Sequence, residues 1–139
     1  LEMSGALGIE QLTKVPGIVA GRRENAAYFV ERFRDIDDVR IQRETGESSW
    51  FGFSLVLEGR LAGRRSEVVA VFRDAGVESR PIVAGNFARN PVVRHMRAVV
   101  PDALPAADEI HENGLFVGNH HYPVRDGIDL VAEVVAGIR

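Results

Sequence analysis

Eight residues at 50–57, WFGFSLVL, constrain the fold more than any other stretch. Their aromatic and β-branched bias predicts a strand, and the scarcity of polar residues predicts that both of its faces are largely covered. Such a strand needs neighbours above and below it. Gly52 within it implies a bulge or a close backbone neighbour. Trp50 and Phe51 read as core, with stacking on a ligand ring as the alternative.

The flanking segments supply the cover. Met3 to Lys14 is predicted helical, with Leu7, Ile9 and Leu12 among small residues that suggest close packing. Val15-Pro16-Gly17 is expected to interrupt it, since proline suits the first turn of a new helix. A second helix is predicted from Gly17 to Arg34, with Ile18, Arg22, Ala26, Phe29, Val30 and Phe33 near one stripe and Arg23, Glu24, Glu31 and Arg32 on the opposite side. Arg22-Arg23 reads as part of a charged helix face, with a phosphate clamp as the sharper alternative. Val39 to Arg43 is β-prone, and Glu44 to Ser49 is a polar loop. A helix over Arg64 to Ala75 buries Val68, Val69 and Phe72 and stops at Gly76. Another is predicted over Pro91 to Val99, with Asn90 as its cap. A short helix at Ala106 to Glu112, a turn at Asn113-Gly114, a strand at Leu115 to Gly118 and a final helix from Arg125 to Ile138 complete the order. This succession predicts an α+β domain, with helices packed on a small, mostly antiparallel sheet.

Composition narrows the class. The 139 residues are 45% apolar and 27% charged with a net charge of −3, which suits one soluble domain and lacks the basic footprint of a nucleic-acid binder. No apolar run reaches membrane-spanning length, and no signal-peptide pattern opens the chain. The absence of cysteine excludes disulfides and thiol catalysis and agrees with a cytoplasmic protein. There is no HxxxH, ExxH or CxxC spacing for zinc, no phosphate loop or dinucleotide fingerprint, and no GxSxG elbow. Adjacent His120 and His121, if strand-like, would point to opposite faces and could not share one ion.

Polar, ligand-binding residue types concentrate in Glu78 to Asn90, ESRPIVAGNFARN: Arg80, Asn86, Arg89 and Asn90. Gly85 among them lets a backbone approach closely. On composition alone the stretch also reads as a strand, a turn and a helix start without any ligand. The phrase RPIVAGNFARNP, however, resembles the DegT/DnrJ/EryC1/StrS family of pyridoxal-phosphate-dependent sugar aminotransferases and dehydratases. Ser4-Gly5-Ala6, Gln11-Leu12, Arg22-Arg23 and Asn25-Ala26 follow the order of that family's linker from large to small domain. AGVESRP repeats its helix, Gly, Arg-Pro pattern. FVGNHH is similar to the 3-dehydratase branch, which acts on nucleotide-linked 4-keto-6-deoxy sugars.

The resemblance implies the C-terminal small domain of a fold type I (aspartate-aminotransferase-like) enzyme, spanning residues 1–139, with 1–34 as the helical linker. It implies a homodimer using pyridoxal phosphate (PLP) or pyridoxamine phosphate (PMP), and a nucleotide-linked 4-keto-6-deoxy sugar as substrate in deoxysugar or lipopolysaccharide synthesis. In the dehydratase branch a His replaces the Schiff-base Lys, PMP condenses with the keto sugar, and the His takes a proton as the 3-hydroxyl leaves. No catalytic residue is expected within 1–139. Lys14 is the only lysine and is poorly placed for a cofactor Schiff base, so no reducible adduct is expected on it. The anchoring residue is expected upstream of Leu1 in a longer protein, the chain alone being inactive. Arg80, Asn86, Asn119 and His120 are the candidate substrate-binding residues, with Arg80 as partner for a phosphate or carboxylate. The competing expectations are a sugar aminotransferase with an upstream Lys, and a non-catalytic α+β dimerisation or binding module.

Overall fold

The computed structural model describes residues 2–138. The elements are α1 (Glu2–Arg32), β1 (Val39–Ile41), β2 (Gly52–Leu57), α2 (Arg65–Asp74), β3 (Ser79–Arg80), α3 (Pro105–Asn113), β4 (Gly114–Gly118) and α4 (Arg125–Gly137). The four strands form one antiparallel sheet in the order β1-β2-β4-β3. The WFGFSLVL stretch supplies its long inner strand, although pairing begins only at Gly52.

Register explains how that strand is covered. Phe53 lies opposite Val117 and Leu55 opposite Leu115, so these four residues share a face. Phe29 and Phe33 of α1, Val68 and Phe72 of α2, and Ile128, Val131 and Val135 of α4 join them in one buried cluster. The Phe29 and Phe53 rings stack with centroids 4.3 Å apart. Each fully buried Phe or Leu here contributes roughly 1.5–3 kcal/mol. Val56, on the opposite face of β2, is also buried, and α3 packs against β2 and β4. Both faces are therefore covered, as the sequence requires. The close neighbour expected at Gly52 is the Val117 carbonyl, which a Cβ there would meet at 2.8 Å.

Three local expectations change. Residues 2–32 form one continuous helix with Pro16 inside it, not two helices. Proline's fixed φ is itself helical, and its cost of about 3 kcal/mol arises mainly from one lost hydrogen bond and a local clash. The break was expected because proline suits the first turn of a new helix, but the same fixed φ lets it sit inside a continuous one. The helix expected over Pro91 to Val99 is a five-residue 3-10 turn, Pro91–His95. Asn90 does cap it, its side chain accepting from the Val92 N–H at 3.0 Å. Val92, Val93, Val99 and Val100 resist helix extension through their branched Cβ atoms. Asn113-Gly114 is not a turn: α3 passes directly into β4, and Gly114 is needed because a Cβ would lie 2.3 Å from the Ile110 carbonyl oxygen.

The stop at Gly76 holds in detail. Gly76 adopts φ +79°. Its N–H donates to the Arg73 carbonyl, and the Val77 N–H donates to Phe72. These paired bonds satisfy the free carbonyls at the end of α2 and aim the chain toward β3 and Arg80. Among the described residues, no helix is long and apolar enough to cross a membrane.

Candidate functional site

The site is built where α1, the turn before β2, the edge strand β3 and the end of β4 converge. Gly21 makes the approach of α1 feasible, since a Cβ there would sit 2.1 Å from the His121 carbonyl oxygen. Asn25, one turn further on, is buried. Its Nδ2 donates to Asn119 Oδ1 at 3.2 Å, to the His120 carbonyl at 2.9 Å and to the Tyr122 carbonyl at 2.8 Å. Its Oδ1 accepts from the Val124 N–H. One side chain thus fixes the whole turn from β4 to α4.

Asn119 completes this network. Its Nδ2 donates to the Arg22 carbonyl at 3.1 Å and to the Trp50 carbonyl at 2.9 Å. Its Oδ1 accepts from Asn25 and from the His120 N–H at 2.8 Å. An amide has two donor hydrogens and two acceptor lone pairs, so these four bonds use all of them.

The surface formed this way is a cleft of about 320 Å³ lined by Arg22, Phe51, Glu78, Arg80, Phe116, Gly118 and Asn119. Arg80 reaches it from β3, paired in register with Phe116. Its Nη2 and Nε both donate to Glu78 Oε1, at 2.7 and 3.1 Å. Both partners are well exposed, so this ion pair is weak, about 0–1 kcal/mol, and an incoming anion can compete for Arg80.

Of the four residues singled out in the sequence, Arg80 and Asn119 line this cleft. His120 stands behind it. Its ring stacks on Tyr122 at 3.9 Å and lies 4.4 Å from His121. The two histidines do not diverge as in a strand, because β4 ends at Gly118 and the chain bends there. Burial, and then the nearby His121 and Arg22, push the His120 imidazole below its ordinary range. Its Nδ1 is buried without a hydrogen-bond partner among the described residues. Asn86 lies apart from the cleft lining. Its Oδ1 caps a 3-10 turn through the Ala88 N–H at 3.0 Å, and its Nδ2 donates to Asp108 Oδ1 at 2.8 Å. The close approach expected at Gly85 is to His111, whose Nδ1 would lie 2.6 Å from an added Cβ and accepts from the Asn86 N–H at 3.2 Å.

Two lining residues, Arg22 and Phe51, read in the sequence chiefly as a charged face and as core, with a phosphate clamp and ring stacking as the alternatives. Arg23 does lie on such a face, bonded to Glu44 at 3.0 Å and to the Ser48 carbonyl at 2.8 Å. Trp50 is buried at 4% exposure, whereas Phe51 is 75% exposed. Trp50 has φ +50°, and this left-handed residue turns Phe51 outward. Helical periodicity separates Arg22, on the apolar stripe, from Arg23, on the opposite side, whereas nothing in the doublet WF separates its two members.

Among the described residues, no group of three or more His, Cys, Asp or Glu is placed to hold a metal ion. Lys14 is exposed on α1.

Four antiparallel strands with α1, α2 and α4 on one face and α3 on the other are an architecture shared with solved structures of fold type I PLP enzymes. A crystal structure of GDP-4-keto-6-deoxymannose-3-dehydratase with a trapped PLP-glutamate geminal diamine superposes with a TM-score of 0.92 at 46% identity, over 97% of this chain and 35% of that one. The chain belongs to the DegT/DnrJ/EryC1/StrS aminotransferase family, whose model matches residues 1–136. GDP-4-keto-6-deoxy-D-mannose 3-dehydratase of Escherichia coli O55:H7 (strain CB9615 / EPEC) is 46% identical over 136 residues, 97% of this chain and 35% of the relative. The Yersinia pseudotuberculosis protein of the same name is 46% identical over 129 residues, 92% of this chain and 33% of the relative. A Helicobacter pylori aminotransferase of pseudoaminic acid biosynthesis shares the fold, with a TM-score of 0.79 at 16% identity over 94% of this chain and 35% of that one. The chain spans about a third of the length of the curated relatives it matches.

Proposed function

We propose that this chain is the C-terminal domain of a PLP- or PMP-dependent nucleotide-sugar 3-dehydratase, with residues 1–34 as the linker from a preceding large domain. The observation that carries this reading is the 46% identity to two 3-dehydratases of GDP-4-keto-6-deoxy-D-mannose over nearly all of the chain. The enzyme is a cytoplasmic homodimer that removes the 3-hydroxyl of a GDP-linked 4-keto-6-deoxy sugar for lipopolysaccharide deoxysugar synthesis. A relative 26% identical to this chain is a lipopolysaccharide biosynthesis protein of Salmonella typhimurium, which supports that setting.

The cofactor, when bound, supplies an electron sink for breaking the C3–O bond. This chain offers no buried amine to hold it covalently, since its one lysine lies exposed on α1. What the chain contributes is a wall of the substrate cleft. Arg80 exchanges its exposed Glu78 partner for an anionic group of the nucleotide sugar. Asn119 lines that wall, and His120 follows it in the turn that Asn25 fixes. Asn86 supports the segment that follows β3, holding it to α3 through Asp108.

The test uses the full-length protein carrying this chain, loaded with PMP and given GDP-4-keto-6-deoxymannose. Mass spectrometry should show a product that has lost the 3-hydroxyl. A product carrying a new amine with the 3-hydroxyl retained would instead make it a sugar aminotransferase. Failure to take up PLP or PMP would leave the binding-module reading.

A further inference from the structure

We infer that Arg22 and Phe51 form a second ligand-binding wall of the Arg80 cleft, receiving the phosphate-bearing, ring-bearing end of the nucleotide, and that Asn119 is the positioning residue that holds this wall. The inference rests on the nucleotide-sugar reading above and assigns the nucleotide end to particular side chains.

Three independent features converge. Arg22 has a buried Nε with no hydrogen-bond partner among the described residues. A buried donor left unpaired is costly. Neighbouring Arg23 donates through Nη1 to Glu44 and to the Ser48 carbonyl, whereas the Arg22 guanidinium lies beside the Phe51 ring, 5.8 Å from the centroid, and near His120. Among the described residues it has no ion-pair partner on this cleft wall.

Phe51 is exposed because of a strained residue. A non-glycine residue at positive φ costs about 1–2 kcal/mol, and Trp50 bears that cost at φ +50°. The result is an open aromatic face beside Phe116, with ring centroids 6.4 Å apart. An aromatic face next to a guanidinium suits a planar base joined to phosphate, through stacking and charge-assisted hydrogen bonds. Two guanidiniums (Arg22 and Arg80) against one carboxylate (Glu78) leave surplus positive charge in the cleft.

Asn119 ties these parts together. A single Nδ2 donates to the carbonyls of Arg22 and of Trp50, the second of which immediately precedes Phe51. With its amide fully occupied, Asn119 acts on the ligand through those two residues.

The full-length protein and its Arg22→Gln, Arg22→Lys, Phe51→Leu and Asn119→Ala variants are compared by calorimetric binding of GDP and of inorganic pyrophosphate, and by turnover of the GDP-linked keto sugar. Arg22→Gln is expected to weaken GDP and pyrophosphate and to raise KM by about tenfold with kcat nearly unchanged, the pattern of lost uniform binding. Arg22→Lys recovers part of this. Phe51→Leu weakens GDP and leaves pyrophosphate as in the parent, since pyrophosphate has no ring. Asn119→Ala weakens GDP as Arg22→Gln does, and the double variant adds little more, because Asn119 acts through Arg22. Should Asn119→Ala fail to fold, the Arg22 and Phe51 variants decide alone. Wild-type GDP affinity in both Arg22→Gln and Phe51→Leu overturns the inference, even in an enzyme with full dehydratase activity. A protein inactive on the keto sugar that still loses GDP affinity in Arg22→Gln retires the dehydratase reading and keeps the cleft.

Discussion

Single residues decide where the cleft lies, and the smallest of them decides most. Gly21 occupies a helical position, where alanine would ordinarily gain about 1 kcal/mol. Here an added Cβ would fall 2.1 Å from the His121 carbonyl oxygen, a backbone atom that cannot rotate away. The clash outweighs the propensity, and Gly21→Ala is expected to destabilise the protein by about 2–4 kcal/mol, read as a lowered urea midpoint at unchanged m-value. Stabilisation would mean that α1 and the 119–122 turn are not held together as described. The local logic of such positions was legible only in part. Asn25-Ala26 stood out in the sequence as a family phrase, but no pattern says that Asn25 will bond to three carbonyl or amide oxygens about a hundred residues away. A long-range polar network leaves no periodic trace, because it depends on where two distant segments meet. Arg80 was legible because the Arg-Pro phrase gave it a context. Arg22 was not, because period 3.6 assigns a residue to a face without saying what that face meets.

At the scale of elements, the fit between α1 and α4 is sealed outside the core by one carboxylate. Asp129 accepts from the Tyr28 hydroxyl at 3.0 and 2.9 Å and from Arg32 Nε at 2.8 Å, while Arg125 lies over the Tyr28 ring at 4.9 Å. The Tyr28 hydrogen bond, then the Arg32 one, holds the Asp129 carboxyl below its usual range. A depressed carboxylate contributes stability that is present above its unfolded pKa and lost as pH falls through its folded value. Asp129→Asn is therefore expected to lower stability near neutrality and to flatten the acid limb below about pH 4, seen by denaturant melts across pH. An unchanged acid limb would remove Asp129 from the tether. Elements themselves were well foreseen where the pattern was strong. α2, β4 and α4 begin and end within about two residues of expectation, the scale of boundary uncertainty in any assignment. Two of the three failures share a cause: at Pro16 and at Pro91 to Val99, a single residue's preference was set against a segment. In α1 the helix prevailed over its proline. After Pro91 the valines prevailed over a good cap.

For the whole molecule, the α+β architecture followed from one strand that needed cover on both faces, and the structure supplies α1, α2 and α4 on one side and α3 on the other. Mass is distributed unevenly around that core. Every member of the buried cluster lies at or beyond Ala26, while the first half of α1 is exposed, with open space beside Gly5, Gly8 and Gly17. Lys14, the only lysine, stands on that projecting half. A lysine-specific protease is thus expected to cut the folded 139-residue chain once, after Lys14, leaving a product whose melting temperature is essentially that of the uncut chain. A large fall would show that the projecting turns support the core. The same geometry makes the chain its own labelling site. An amine-reactive fluorophore would mark one side chain, and its emission would report the moment any surface closes over the helix that carries it.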